Sequence, residues 1–232
     1  MEQPRIQPAI AQQAGHGDAH TIVASLISER PMLHAGQWAI DPAVLNWIAG
    51  AVQPGMLTLE TGAGHSTIAF LAAGADHTAI SPAPEEHKRI SEWCGDHGIN
   101  HRASFIDARS QDVLPTLQVG ELDVVLLDGW HAFPIPMLDW YFTAPKLAVG
   151  GRMIIDNTEI KPVRILADFL RAEEGRWALE TQFRATAVFR KIAADVVDTG
   201  EWYTQPYSAT PIMSPPERAR RLFGRMLPRH HA

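Results

Sequence analysis

The stretch MLTLETGAGHSTIAFLAAG, residues 56–74, decides how the rest of the chain is read. Its first five residues have the short apolar run of a strand, the next few form a glycine-bearing turn, and residues 66–74 read as a helix closed by Gly74. The pattern recurs downstream. HTAIS (77–81), ASFID (103–107), LDVVLLD (122–128) and RMIIDN (152–157) fit strands. STIAFLAAG, PEEHKRISEWCGDHG, SQDVLPTL and PIPMLDWYFTAPKLAVGG fit helices or helix-bearing crossovers, with Pro near starts and Gly at ends. Such alternation predicts an α/β fold, a doubly wound and mostly parallel sheet with helices on both faces. RWALETQF and TAVFRKI lie only a few residues apart and predict a hairpin, hence one antiparallel strand in the sheet. Ligands of doubly wound sheets sit outside the carboxyl ends of the strands. The polar endings Glu60 with TGAGHS, Ser81, Asp107, Asp128 with GWH, and Asp156–Asn157 therefore share one cleft.

Composition narrows the function classes. At 232 residues and 46% apolar the chain can bury one sizeable core, and a single domain is expected. A net charge of -6 argues against nucleic-acid binding through a general basic surface. The single Cys94 excludes a disulfide within the chain and reads as a small buried residue rather than a nucleophile. No apolar run approaches the roughly 18 residues of a membrane span, and the N-terminus lacks the basic-then-apolar order of a signal peptide. The expectation is a cytoplasmic protein with no integral membrane segment. Residues 1–20 read as a polar arm, 21–192 as the main domain, and 193–232 as an extension whose Arg-rich end, with Leu222, Phe223, Met226 and Leu227 at helical spacing, forms a basic amphipathic helix. Trp38, Trp47 and Trp140 lie in apolar patterns that suit core packing. His16, His20, His34, His77, His87, His97 and His101 show no partner pattern and read as surface residues.

The glycines of LETGAGHST (59–67) let the backbone approach a ligand closely, and the helix start beyond them offers free N–H groups to an anion. A dinucleotide could use such a loop, but Thr67 stands where that fingerprint has its third glycine. The order acid-x-Gly-x-Gly instead resembles motif I of the class I S-adenosylmethionine-dependent methyltransferases. The resemblance extends over roughly residues 40–191 and implies a seven-stranded, Rossmann-like sheet with a terminal hairpin. Within that class the chain resembles the metal-dependent catechol O-methyltransferase type. SQDVLP (110–115) is similar to its adenine-side segment, LLDGWH (126–131) to its Asp-x-Trp-Lys segment, and IIDNT (154–158) to its Asp-Asn pair. The resemblance implies that Glu60, Gly62, Gly64, Ser66, Ser81, Ser110, Gln111, Asp128 and Trp130 hold S-adenosylmethionine. It also implies that Asp128, Asp156 and Asn157 hold Mg²⁺ or another hard divalent cation, a donor set that suits such ions better than zinc.

Three features depart from the family pattern. The Gly loop is shorter than in the catechol enzymes. Ser81 stands where the family places an acid for the ribose hydroxyls, which gives up a charge-assisted bond of about 1.5–3 kcal/mol. His131 falls where the catechol enzymes have their Lys. Imidazole titrates near neutrality, so His131 is the expected general base. A hydrogen-bond donor to Asp128, a fourth metal ligand and a polar cleft residue remain open alternatives for it. The expected function is metal-assisted O-methyl transfer to a small molecule with neighbouring oxygens, with no nucleic-acid partner and a homodimer left open. A methyltransferase-like binding protein without turnover and a nicotinamide-dependent oxidoreductase are the rival readings.

Overall fold

A computed structural model describes residues 16–33, 40–100, 103–197 and 205–209. The segments expected to form the N-terminal arm up to residue 15, Trp38 and the basic C-terminal helix lie outside the described residues. Residues 1–197 make one compact unit, and residues 198–232 a second, of which the short helix Pro206–Ala209 is described.

Seven strands form one sheet: β1 Leu57–Thr61, β2 Asp76–Ile80, β3 Ser104–Ile106, β4 Leu122–Leu127, β5 Leu147–Ile155, β6 Trp177–Gln182 and β7 Ala187–Lys191. Their order is β3-β2-β1-β4-β5-β7-β6. The first five pair in parallel, and β7 runs antiparallel to both β5 and β6. The expected doubly wound fold with a terminal hairpin is thus the observed one. From β1 the chain winds outward to β2 and β3, then returns to place β4 on the other side. The switch point lies between β1 and β4, where crevices open in such sheets.

Alternation along the strands divides the core. Val124, Leu126, Ile154 and Val188 point to one face, covered by α1 (His16–Glu29), α2 (Pro42–Ala51), α3 (His65–Ala72) and α4 (Pro84–Asp96). Leu59, Val125, Leu127, Met153, Ile155 and Phe189 point to the other. There α6 (Ile135–Thr143) contributes Trp140, and α7 (Lys161–Ala172) contributes Val163, Leu166 and Leu170. Each large side chain so buried is worth about 1.5–3 kcal/mol. Pro162 in the first turn of α7 and Pro42 at the start of α2 sit where a missing N–H costs nothing, and Asp41 caps α2 by accepting from the Ala43 N–H at 2.8 Å.

Four details differ from expectation. Helix α1 begins at His16, inside the stretch read as an arm. The SQDVLPTL segment yields only the short helix α5, Ser110–Val113, because Pro115 removes a donor just beyond it. Strand β5 starts at Leu147, not near Arg152, since Leu147 pairs with Leu122 ahead of a register shift. Gly150 at φ +92° and Gly151, where a Cβ would meet the Asp123 carbonyl oxygen at 3.0 Å, are what that irregular entry needs. Finally, His77 and His87 are buried rather than on the surface. His77 shares an inward-facing position with Ala79 along β2 and stacks on Phe70, while His87 stacks on Phe105. Trp140 and Cys94 are buried as expected, and burial pushes the Cys94 thiol up to about 11.

Candidate active site

Four backbone hydrogen bonds run in a line across the carboxyl ends of the strands. Ser81 donates to Ile106, Gly62 to Ile80, Asp128 to Thr61 and Asp156 to Leu127, all at 2.9–3.1 Å. Each donor is the first residue past its strand, so the residues expected to meet ligands form one row. Neighbouring strands are about 5 Å apart, and the pairing of Leu127 with Ile155 puts Asp128 and Asp156 side by side.

The glycine loop is shaped from within. Gly62 has φ +98°, and a Cβ there would stand 2.5 Å from the Asp128 carbonyl oxygen. The loop of β1 therefore presses directly on the loop of β4, which only glycine permits. Glu60 is 1% exposed. Its carboxylate accepts from Ser66 Oγ at 2.6 Å, from Thr67 Oγ1, and makes a 3.1 Å contact with His77 Nε2. Thr67 Oγ1 in turn accepts the Gly64 N–H at 2.9 Å, and His77 Nδ1 meets Thr58 Oγ1 at 2.8 Å. Glu60 and Ser66 are consequently spent on fixing the loop and the start of α3. His77 is a member of this network that sequence reading missed, although its place beside Ala79 in the alternation of β2 was the available signal.

The LLDGWH segment delivers its polar residues at the end of β4. His131 Nε2 lies 3.6 Å from Asp128 Oδ1, beyond hydrogen-bond range but close enough for an ion pair, with both side chains about a quarter exposed. Trp130 is 72% exposed and Phe133 68%, so two aromatic faces stand open at the rim. Asp156 is 5% exposed. Burial, and then the negative charge of Asp128, hold its carboxyl well above the usual carboxylate range, while hydrogen bonds from Thr186 Oγ1 and the Asn157 backbone pull it down. Thr186, in the β6–β7 turn, was not foreseen; nothing local in the sequence connects it to Asp156, 30 residues earlier. Asn157 is half-buried with φ +58°, a left-handed backbone that Asn tolerates.

On the other flank, Ser81 and Ser110 are both 7% exposed and Gln111 is half-buried. The Ser110 hydroxyl lies near the carboxyl of Asp139, a residue of α6 that sequence reading passed over as part of an amphipathic run. Asp139 is 2% exposed, and burial pushes its carboxyl up to about 6 against the pull of Ser110, Thr61 and His131. Perturbed carboxyls gathered in a crevice are a mark of functional sites. Among the described residues, no group of three or more His, Cys, Asp and Glu side chains is placed to hold a metal, and no helix is long and apolar enough to cross a membrane.

Comparison with known proteins bears on the family and the fold. The family described as "Methyltransferase domain" matches residues 59–158, which run from β1 through the Asp156–Asn157 ending. No curated protein matches the sequence. Among solved structures, cofactor-bound Rv0187 from MTB aligns at 16% identity and TM-score 0.58, over 74% of this chain and 89% of its own. The O-methyltransferase TomG from Streptomyces achromogenes, in complex with SAM, aligns at 16% identity and TM-score 0.53, over 79% and 92%. An rRNA methylase from Streptococcus thermophilus aligns at 12% identity and TM-score 0.52, over 68% and 100%. At such identities these likenesses speak to the fold alone. The match to a methyltransferase domain thus covers the strands and loops that line the cleft, and the sheet beneath it is seven-stranded and Rossmann-like.

Proposed function

We propose that the chain moves a methyl group from S-adenosylmethionine to a hydroxyl of a small molecule bearing neighbouring oxygens, with a hard divalent cation such as Mg²⁺ at the acidic end of the cleft. The observation that carries this reading is the placing of Asp128, beside Gly62 at the switch point of the sheet, next to Asp156 on one side and His131 on the other. The glycine loop suits the cofactor because Glu60, Ser66 and Thr67 hold it in one shape, with a half-buried Gly62 at its turn. The turn through Gly62 and Gly64 and the N–H groups opening α3 would take the carboxylate end. Ser81 would meet the ribose, and Gln111 and the open face of Trp130 the adenine. When bound, the cofactor supplies an electrophilic methyl on a cationic sulfur.

The acidic pair fits a hard cation: two carboxylates at neighbouring strand ends, one raised by burial and then by the charge of the other, gain from a positive ion between them. Asp128 and Asp156 would hold it together with the side-chain oxygen of Asn157. When bound, the cation would raise the acidity of a substrate hydroxyl. His131 then accepts the hydroxyl proton, and Asp128, 3.6 Å from Nε2, stabilises the imidazolium that results. The residues of the cleft supply orientation and electrostatics, since transfer quenches the charge on sulfur. An acidic chain favours a small-molecule acceptor over a nucleic acid.

Transfer of labelled methyl from S-adenosylmethionine to a panel of vicinal diols tests the proposal. Transfer should require Mg²⁺, disappear on exhaustive chelation and return when the ion is restored. Equal transfer after chelation removes the cation from the reaction. Binding of S-adenosylhomocysteine with no transfer to any acceptor favours the binding-protein reading.

A further inference from the structure

Asp139 is the buried acid that the proposed reaction leaves without a task. It sits on α6, 2% exposed, in a region where a carboxylate costs the fold stability. Three segments that line the cleft converge on it. The Ser110 hydroxyl, opening the adenine-side helix α5, lies near its carboxyl and favours the charged form. The Thr61 hydroxyl, at the end of β1 just before Gly62, faces the same carboxyl. Gly129 of the LLDGWH segment lies against both, since a Cβ there would be 3.2 Å from Thr61 Oγ1 and 3.5 Å from Asp139 Oδ2. A cavity of about 10 Å³ borders the group, lined by Gly129, Trp130, His131, Pro136 and Asp139 among others.

The polar accounting at this spot is unusual. Among the described residues, Asp139 Oδ1, Thr61 Oγ1 and His131 Nε2 are all buried without a hydrogen-bond partner. Thr61 and Asp139 are thus near enough to interact electrostatically without forming a well-aligned bond. Buried polar atoms left in this way are rare in packing cores and are retained where an arrangement serves a site. An apolar residue would have filled the gap between α6 and the sheet more cheaply.

Resting on the cofactor site proposed above, we infer that Asp139 is a positioning residue for the cofactor: its carboxyl locks the adenine-side segment at Ser110 to the β1 and β4 loops, so that three separate pieces of chain form one cofactor-binding wall. It acts through Ser110, Thr61 and Gly129 and need not touch the cofactor. The Ser110 hydroxyl, expected to face adenine, is assigned instead to this lock.

The test is titration of wild-type, Asp139→Leu, Asp139→Asn and Thr61→Val proteins with S-adenosylhomocysteine, with thermal melts alongside. Asp139→Leu should bind at least tenfold more weakly while melting at or above the wild-type temperature. Asp139→Asn, which keeps an acceptor for Ser110, should return to within about threefold of wild type. A residue that served packing alone would lose affinity only in step with stability and would gain nothing from the Asn substitution. Wild-type affinity in a folded Leu variant overturns the inference. Should the Leu variant fail to fold, Thr61→Val decides: a several-fold loss with an unchanged melt supports the lock, and unchanged affinity overturns it. A wild-type protein that binds no S-adenosylhomocysteine sinks the cofactor site itself and this inference with it, whereas binding by wild type with indifferent variants sinks only the inference.

Discussion

His131 is the residue on which the proposed chemistry turns. If its imidazole takes the substrate proton, His131→Ala should lower turnover by roughly 10²- to 10⁴-fold with cofactor affinity nearly unchanged. His131→Lys should restore part of the rate with the pH optimum displaced upward, because an amine must first lose its proton. Rate-against-pH curves of the three proteins check this, and an Ala variant with wild-type turnover removes His131 from the mechanism. Asp139 makes a separate prediction about stability. Burial raises its carboxyl from the ordinary 3.8 to about 6, so the folded chain binds that proton more tightly than the unfolded one. The associated stabilisation is complete below about pH 4 and is lost as pH rises through about 6. Asp139→Asn should therefore gain on wild type across that window, by on the order of 2–3 kcal/mol, and then level off. Thermal melts from pH 4 to 8 read it directly. At this scale the sequence told only part of the story. Asp128, Asp156 and His131 could be found because each ends or follows an apolar strand. Asp139 could not, because the groups around it are brought there by tertiary packing, and for His77 the alternation of β2 signals burial but not its partner Glu60.

Among the elements, the contact between the β1 and β4 loops is the one that glycine alone makes possible. Gly62→Ala places a Cβ 2.5 Å from the Asp128 carbonyl and strains a backbone at φ +98°, so both loops must shift. The expected cost is about 1–3 kcal/mol of stability together with weakened S-adenosylhomocysteine binding. Calorimetry of the variant, melted and titrated in parallel, measures both, and a neutral outcome would mean that the two loops do not press on one another. Strands β1 to β4 and the hairpin were legible from short apolar runs and their spacing. The early start of β5 was not: Leu147–Gly151 reads as a helix exit, and only its pairing with Leu122 across the register shift makes it a strand. Likewise α5 is held to four residues by Pro115, where apolar spacing alone suggested more.

At the scale of the whole molecule, the proposed reaction draws on a central switch point, a buried support for the glycine loop and two neighbouring carboxylates. The doubly wound order could be read from the sequence because each crossover carried its own helix signal, and the hairpin because its two strands lie too close for a crossover. What the sheet accepts at its crevice is a question the fold leaves open, since dinucleotide enzymes use the same architecture. Isothermal titration of the wild-type protein with S-adenosylhomocysteine and, separately, with NAD, each with and without Mg²⁺, addresses it most directly. The account predicts saturable binding of S-adenosylhomocysteine in both conditions, since the glycine loop and adenine-side segments carry the affinity, and no binding of NAD. Binding of NAD without binding of S-adenosylhomocysteine would contradict it.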